Sequence, residues 1–270
     1  MAIFTIFGHT GFIGSYLKKK LKNHKLILPR RNQLKIKRFL GNIIYCIGSD
    51  DWMNDYYNSY KANLGFIPEI IKHNKFSSFT FLSTTRIYKK VKNTKEDAEL
   101  KINPIDKDDY YNLKKICAES LLLTQKRKIN IIRLSNIYGE NFNAPLVLPR
   151  LINNAVKNKK IFLTINKNSA KDFLSIQDAT DLIYKISKKN SGEIFNVASG
   201  KMYKLIDLAN EIKKNTGCKI ILKNQNKFIR EPKININKIK KKFKFKPKSD
   251  LILDLNKLIK KFKKKNGYKL

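Results

Sequence analysis

Apolar positions along this chain fall into short strand-length runs separated by stretches of helical spacing. Ile3 to Phe7 predicts a buried strand, and it feeds a turn with glycines at Gly8, Gly11 and Gly14. Leu17 and Leu21 continue the apolar stripe of a helix that ends near Asn23. Lys25 to Leu28 predicts a second strand, Asn42 to Ile47 a third, and residues 55–73 repeat at helical spacing. Phe76 to Ser83 is a fourth strand, running on into Thr84, Thr85, Arg86, Ile87 and Tyr88. Residues 89–108 are polar and read as a loop across the mouth of a site. Asp109 then opens a helix that carries Tyr110, Tyr111, Lys114, Lys115 and Glu119. The pattern is that of an α/β chain whose first βαβ unit starts at once.

The first turn has a chemical reading. A dinucleotide diphosphate needs close backbone approach and free N–H groups at a helix N-terminus, and glycine permits both. The spacing here is GxxGxxG, looser than GxGxxG, and a plain strand-to-helix turn uses glycines too. At the end of the second strand an acid would accept the adenosine ribose hydroxyls, whereas basic groups suit a 2′-phosphate. Pro29-Arg30-Arg31 stands there with no acid. The expected cofactor is therefore NADP, with NAD as the alternative.

Hydroxyls gathered at the end of the fourth strand lie where ligands meet open parallel sheets. In the helix that follows, Tyr and Lys four residues apart share a face, and an ammonium beside a phenol favours the phenolate, which can exchange protons near neutral pH. Two pairs have this spacing, Tyr110 with Lys114 and Tyr111 with Lys115. Leu113, Ile116, Cys117, Ser120 and Leu121 form one stripe with Tyr110 at its edge and Tyr111 about 100° further round, which makes Tyr110 the expected packing residue.

A chain of 270 residues can bury a full core. Three cysteines far apart in sequence and three histidines indicate neither a disulfide framework nor a metal site. No apolar run has the length of a membrane span, and His9 and the glycines interrupt any signal-like core, so a soluble cytoplasmic protein is expected. The formal net charge of +37 points at first to nucleic acid. However, 50 of the 58 basic residues are Lys, scattered along the whole chain. Residues 213–270 are richest, with 21 Lys or Arg against three acids, and read as a solvated basic lobe that attracts anionic small molecules.

These motifs together resemble the extended short-chain dehydrogenase/reductase family, the NAD(P)-dependent epimerases, dehydratases and reductases of nucleotide sugars. Asn63 in KANLGFIPEII falls where the family carries an asparagine. Ile132 to Gly139 resembles LRxxNVYGP, and Lys171 to Asp178 resembles RDFIHVDD with Lys171 in place of its arginine. Ile194 to Val197 with Ser199-Gly200 resembles YNIGSG, and Phe243 to Pro247 resembles LGWKP with its glycine lost.

The resemblance implies a Rossmann-type doubly wound parallel sheet in residues 1–140, completed by about 172–200. It leaves 141–171 and 201–270 for a small substrate lobe, mostly C-terminal. It implies a cofactor loop of Gly8, Thr10, Gly11, Phe12, Ile13 and Gly14, with Arg30 and Arg31 toward the 2′-phosphate. Thr84, Tyr111 and Lys115 become the catalytic set, with Lys115 also on the nicotinamide ribose. The choice of Tyr111 follows the family pattern, because Ile116 and Glu119 then fall on its apolar and acidic positions. Thr84, Asn136 and Arg230 would hold substrate, and no metal is implied. The family's 4,6-dehydratases follow the threonine with Asp-Glu, but Thr85-Arg86 stands here. The expected reaction is thus 4-epimerisation or 4-keto reduction of a nucleotide sugar, in polysaccharide or sugar biosynthesis, by a homodimer that binds neither nucleic acid nor membrane. A catalytically inactive RNA-binding relative of the same fold is the alternative, motivated by the charge.

Overall fold

Six short runs rich in β-branched and aromatic residues pair in parallel in the computed structural model, which describes residues 1–49, 54–229 and 231–269. β1 (Ile3–Phe7) lies between β2 (Lys25–Ile27) and β3 (Asn42–Tyr45). β4 (Ser78–Thr84), β5 (Lys128–Leu134) and β9 (Ile194–Val197) follow on the β3 side, giving the order 2-1-3-4-5-9. The order reverses at β1, so a crevice opens beyond the C-terminal ends of β1 and β3, where doubly wound sheets bind ligands. Residues 28–41 form no strand outside β2, and β2 is a three-residue edge with Lys25 exposed, a form that discourages edge pairing.

Both faces of the sheet are covered, which is why the strands read as nearly continuous apolar runs. Side chains alternate between the faces with period two. On one face Phe4, Ile6, Ile44 and Ile132 pack with Leu17 and Leu21 from α1 (Phe12–Lys20) and its end, and with Ile183 and Ile186 of α6 (Ile176–Lys189). On the other, Phe7, Ile43, Phe79, Phe81 and Ile131 pack with Ile67 and Ile70 of α3 (Phe66–His73) and Leu122 of α4 (Asp109–Leu123). Full burial of each such side chain stabilises the fold by about 1.5–3 kcal/mol.

α2 (Tyr56–Tyr60) passes into α3 through a π-helical turn at Lys61–Gly65. Pro68, inside α3, has no N–H to offer the carbonyl four residues back, and the backbone widens just before it. The turn buries Asn63, whose Nδ2 donates to the Ser59 carbonyl at 2.9 Å.

A separate apolar cluster lies in α5 (Val147–Lys157), α7 (Leu205–Thr216) and α9 (Leu251–Lys265), through Leu151, Ile152, Leu208, Ile212, Leu255 and Phe262. β7 (Lys160–Leu163) and β11 (Lys219–Leu222) form a parallel pair beside it. β6 (Asn136–Tyr138), β8 (Ala170–Ser175) and β10 (Met202–Lys204) make a small mixed sheet between the two bodies of core. α8 (Asn237–Phe243) returns to the main sheet, where Ile239 and Phe245 join the cluster that contains Phe4.

Element ends differ from the sequence reading by a few residues. The third strand stops at Tyr45 rather than Ile47, although the Cys46 N–H still bonds the Phe7 carbonyl at 2.9 Å. The first helix ends at Lys20, where Lys18, Lys19 and Lys20 complement its negative pole. Among the described residues, no helix is long and apolar enough to cross a membrane.

Candidate active site

β1 ends at Gly8, whose φ of +80° lies in the left-handed region; a Cβ there would stand 2.9 Å from the Cys46 carbonyl carbon. Its carbonyl accepts the Gly11 N–H at 3.0 Å, and a Cβ on Gly14 would lie 2.1 Å from that same oxygen. Packing within the protein therefore requires glycine at positions 8 and 14. Gly11 differs. It is exposed with φ −72°, and a Cβ on it would meet only the Gly8 oxygen, at an ordinary 3.4 Å.

Gly11 caps α1 without a side-chain hydrogen bond, so the first-turn N–H groups face an open cradle that a side chain would fill. A dinucleotide diphosphate fits such a cradle. Thr10 beside it is exposed, and Phe12 and Ile13 are half-buried. Gly11→Val is expected to keep the native thermal unfolding midpoint yet lose NADPH binding in a fluorescence titration, whereas Gly14→Val does not fold. Retained binding in a folded Gly11→Val protein would put the dinucleotide elsewhere.

Arg30 and Arg31 are exposed in the turn after β2. The Asp55 carboxyl, N-cap of α2, is held below its usual range by hydrogen bonds from Asn58 and by the charge of Arg31.

At the end of β4, Thr84 Oγ1 accepts the Arg86 N–H at 3.2 Å. The two Tyr–Lys pairs of α4 diverge. Tyr110 donates its hydroxyl to the Tyr56 carbonyl at 3.2 Å, with the Lys114 ammonium 3.7 Å from its ring centroid. Lys114 donates to Ser59 Oγ at 2.6 Å, and burial pushes its ammonium down to about 8. Lys115 is 4% exposed and donates to the Leu82 carbonyl at 2.9 Å, directly below the end of β4. Its charge also reaches Cys46, whose thiol burial pushes up to about 12. Lys115 thus lies between β4 and the Gly8 side of the crevice.

The apolar stripe expected on α4 packs only in part, through half-buried Ile116 and Leu121. The buried face is Asp109, Asn112, Lys115, Ala118, Glu119 and Leu122, while Cys117 and Ser120 are exposed. Polar groups take that face because each charge on it has a partner. Arg133 donates to both carboxylate oxygens of Glu119, at 2.7 Å from Nη2, and Ser83 bonds the same carboxylate. Arg133 Nη1 reaches the Tyr88 hydroxyl at 2.5 Å and the Glu96 carbonyl at 2.9 Å, and Tyr88 donates to Asn196 Oδ1 at 3.0 Å. This network ties α4, the end of β4, β5 and β9 together under Thr84.

Thr84, Tyr111 and Asn136 all line one cavity of about 610 Å³ between the main sheet and the second core. Lys115 and the glycine loop are not on its wall. Phe12 nevertheless borders it, since its ring stands 3.0 Å from where a Cβ on Gly139, a lining residue, would sit. Arg230 lies outside the described residues.

Further charged and polar groups line the cavity. Arg86 lies with its guanidinium carbon 5.7 Å from the Tyr111 ring centroid and pairs with Asp108 at 3.4 Å. Asn136 Nδ2 donates to the Asp172 carbonyl at 2.9 Å and approaches Glu231 Oε2 at 3.4 Å, while Lys171 pairs with Glu231. Arg150 and Lys227 also line the cavity, and among the described residues neither has an acidic partner. Phe142, Leu146, Val147, Ile165 and Phe228 form an apolar wall beside them. Asn136 had been named as a substrate contact, and Arg86 and Lys171 had been marked as departures from family motifs, whereas Glu231, Arg150 and Lys227 had not.

The sequence model of the NAD dependent epimerase/dehydratase family matches residues 48–198, more than half of the chain, beginning after the glycine loop. GDP-6-deoxy-D-talose 4-dehydrogenase from Aggregatibacter actinomycetemcomitans is 30% identical over 110 residues, covering 38% of this chain and 37% of that protein. dTDP-D-glucose 4,6-dehydratase from Dictyostelium discoideum is 24% identical over 266 residues, covering 77% and 60%. The matched segments therefore span less than two thirds of either relative. Among solved structures, RMD from Pseudomonas aeruginosa complexed with NADPH superposes with a TM-score of 0.83 at 17% identity, covering 98% of this chain and 100% of that one.

Proposed function

We propose that this chain, which belongs to the NAD dependent epimerase/dehydratase family, moves a hydride at carbon 4 of a nucleotide-linked sugar, in net reduction of a 4-keto sugar or in 4-epimerisation. The observation that carries this reading is the shared cavity. Thr84 and Tyr111 stand on its sheet side, and Arg150 and Lys227, cations without acidic partners among the described residues, stand on the other. A neutral substrate would leave those charges unused, whereas a nucleoside diphosphate-sugar is anionic along much of its length.

A dinucleotide held by its diphosphate at the glycine loop would supply or accept the hydride through its nicotinamide. The protein's part is proton handling and orientation. Tyr111 gives its hydroxyl proton to the reacting oxygen in reduction and regains one from solvent, and in oxidation its phenolate takes the proton and releases it to solvent. The Lys115 and Arg86 cations favour the phenolate oxygen left behind. Thr84 hydrogen-bonds the reacting oxygen, Lys115 holds the nicotinamide ribose, and Asn136 and Arg230 hold substrate. Residues 141–171 and 201–270 supply the substrate side of the cleft. Arg86 occupies the position where a dehydratase of this family has a carboxylic acid, so water elimination lacks its acid–base pair. The first relative, named as a 4-dehydrogenase, supports the choice of carbon.

Net reduction is the favoured direction, because Arg30 and Arg31 suit NADP, the cofactor of reductive steps. Replacing both by Ala is expected to raise the apparent constant for NADPH by about tenfold or more with little change for NADH, since two phosphate-pairing cations are lost. Equal effects on both cofactors would remove the NADP assignment. The reaction itself is tested with UDP-, GDP- and dTDP-linked 4-keto sugars. Stoichiometric loss of reduced nicotinamide marks reduction, interconversion of 4-epimers without net loss marks epimerisation, and neither with any substrate contradicts the proposal.

A further inference from the structure

Two carboxylates line the cavity among its described residues, and their settings differ. Asp108 pairs with Arg86 and Lys89 on the Tyr111 side. Glu231 instead holds Lys171, and Asn136 approaches its second oxygen at 3.4 Å. Those two donors are oriented toward an anion, and that anion is part of the protein. The pair is sheltered, at 17% and 19% side-chain exposure, so its attraction is only partly screened.

Resting on the nucleotide-sugar reading above, we infer that Glu231 competes with the substrate diphosphate for Asn136 and Lys171. Two anions drawn to the same ammonium and amide repel each other, so the carboxylate leaves as substrate enters, and affinity is reduced by the population in which it stays. The route out is a side-chain rotation. The backbone is pinned on one side by Ile229, whose N–H bonds Ser169 Oγ and whose carbonyl accepts the Ala170 N–H. On the other, the Lys233 carbonyl and Asn235 N–H both bond Thr94 Oγ1, at 2.9 Å each. Glu231 is then a specificity-setting residue. It holds back weak anions that cannot displace it and admits a diphosphate, whose charge and oxygens replace its own.

Native protein, Glu231→Gln and Glu231→Ala are titrated calorimetrically with UDP, GDP and dTDP, with NADPH titrated separately as the check on folding and on the cofactor site. The nucleoside diphosphate bound by native protein is expected to bind both variants about tenfold more tightly, with NADPH affinity unchanged. Gln keeps the shape and loses the charge, so tighter binding by that variant identifies charge competition. Unchanged or weaker binding by the variants of a diphosphate that native protein binds would overturn the inference alone, and would make Glu231 a direct substrate contact or a bystander. No binding of any of the three by native protein or variants, with NADPH binding intact, would overturn the nucleotide-sugar reading and this inference with it.

Discussion

Tyr111→Phe is expected to lower turnover by about two to four orders of magnitude with cofactor and substrate binding retained, because it removes the proton donor and little else. Tyr110→Phe should cost little. Both tyrosines sit four residues before a lysine, and their surroundings separate them. The Tyr110 hydroxyl is engaged by the Tyr56 carbonyl and its ring lies against Lys114, on the side of α4 that faces α2. Tyr111 lines the cavity with Thr84, beside Arg86 and one turn from Lys115. Single-turnover kinetics read the effect separately from binding. Full turnover in Tyr111→Phe with collapse in Tyr110→Phe would shift the register by one and give Lys114 the role assigned to Lys115.

Arg133→Met is expected to destabilise the fold by about 3–5 kcal/mol, since it leaves the buried Glu119 carboxylate without its cation. Arg133 and Glu119 have 6% and 5% side-chain exposure, so solvent cannot replace the lost partner. A typical domain has only about 5–15 kcal/mol in hand, so much of the margin disappears. Glu119→Leu combined with Arg133→Met should recover part of the loss, because the unpaired charge is gone. Urea unfolding of the two singles and the double measures this. A loss below about 1 kcal/mol in the single variant would mean that Glu119 finds water or a proton with ease.

The first strand, its glycine turn and the β-rich runs that follow were legible in sequence, because buried parallel strands leave continuous apolar runs and glycine marks a left-handed turn. Thr84, Tyr111 and Asn136 were named from motifs, and they line one cavity. The packing of α4 was only partly legible. Periodicity pointed to Leu113, Ile116 and Cys117, but Lys115 and Glu119 are buried because Leu82, Ser83 and Arg133 meet them from other strands. A one-dimensional pattern carries no record of such partners. The same holds for Glu231, 60 residues beyond the Lys171 it pairs with, and for Arg150 and Lys227, which look like ordinary members of a basic surface until the fold turns them to the cavity. The glycine turn gave all three glycines one meaning, whereas the structure divides them: Gly8 and Gly14 serve packing, and Gly11 alone leaves open space.

The most direct test follows the hydride. Native protein is incubated with UDP-, GDP- and dTDP-linked 4-keto sugars and NADPH or NADH deuterated at nicotinamide carbon 4, and the sugars are weighed by mass spectrometry. Reduction and epimerisation both pass through hydride delivery to a 4-keto sugar, so deuterium should enter one of these sugars with native protein and be nearly absent after the same time with Tyr111→Phe. Native protein that transfers no label to any of them from either cofactor, yet holds RNA with a steep salt dependence, would contradict the enzyme reading and favour a nucleic-acid-binding relative of this fold.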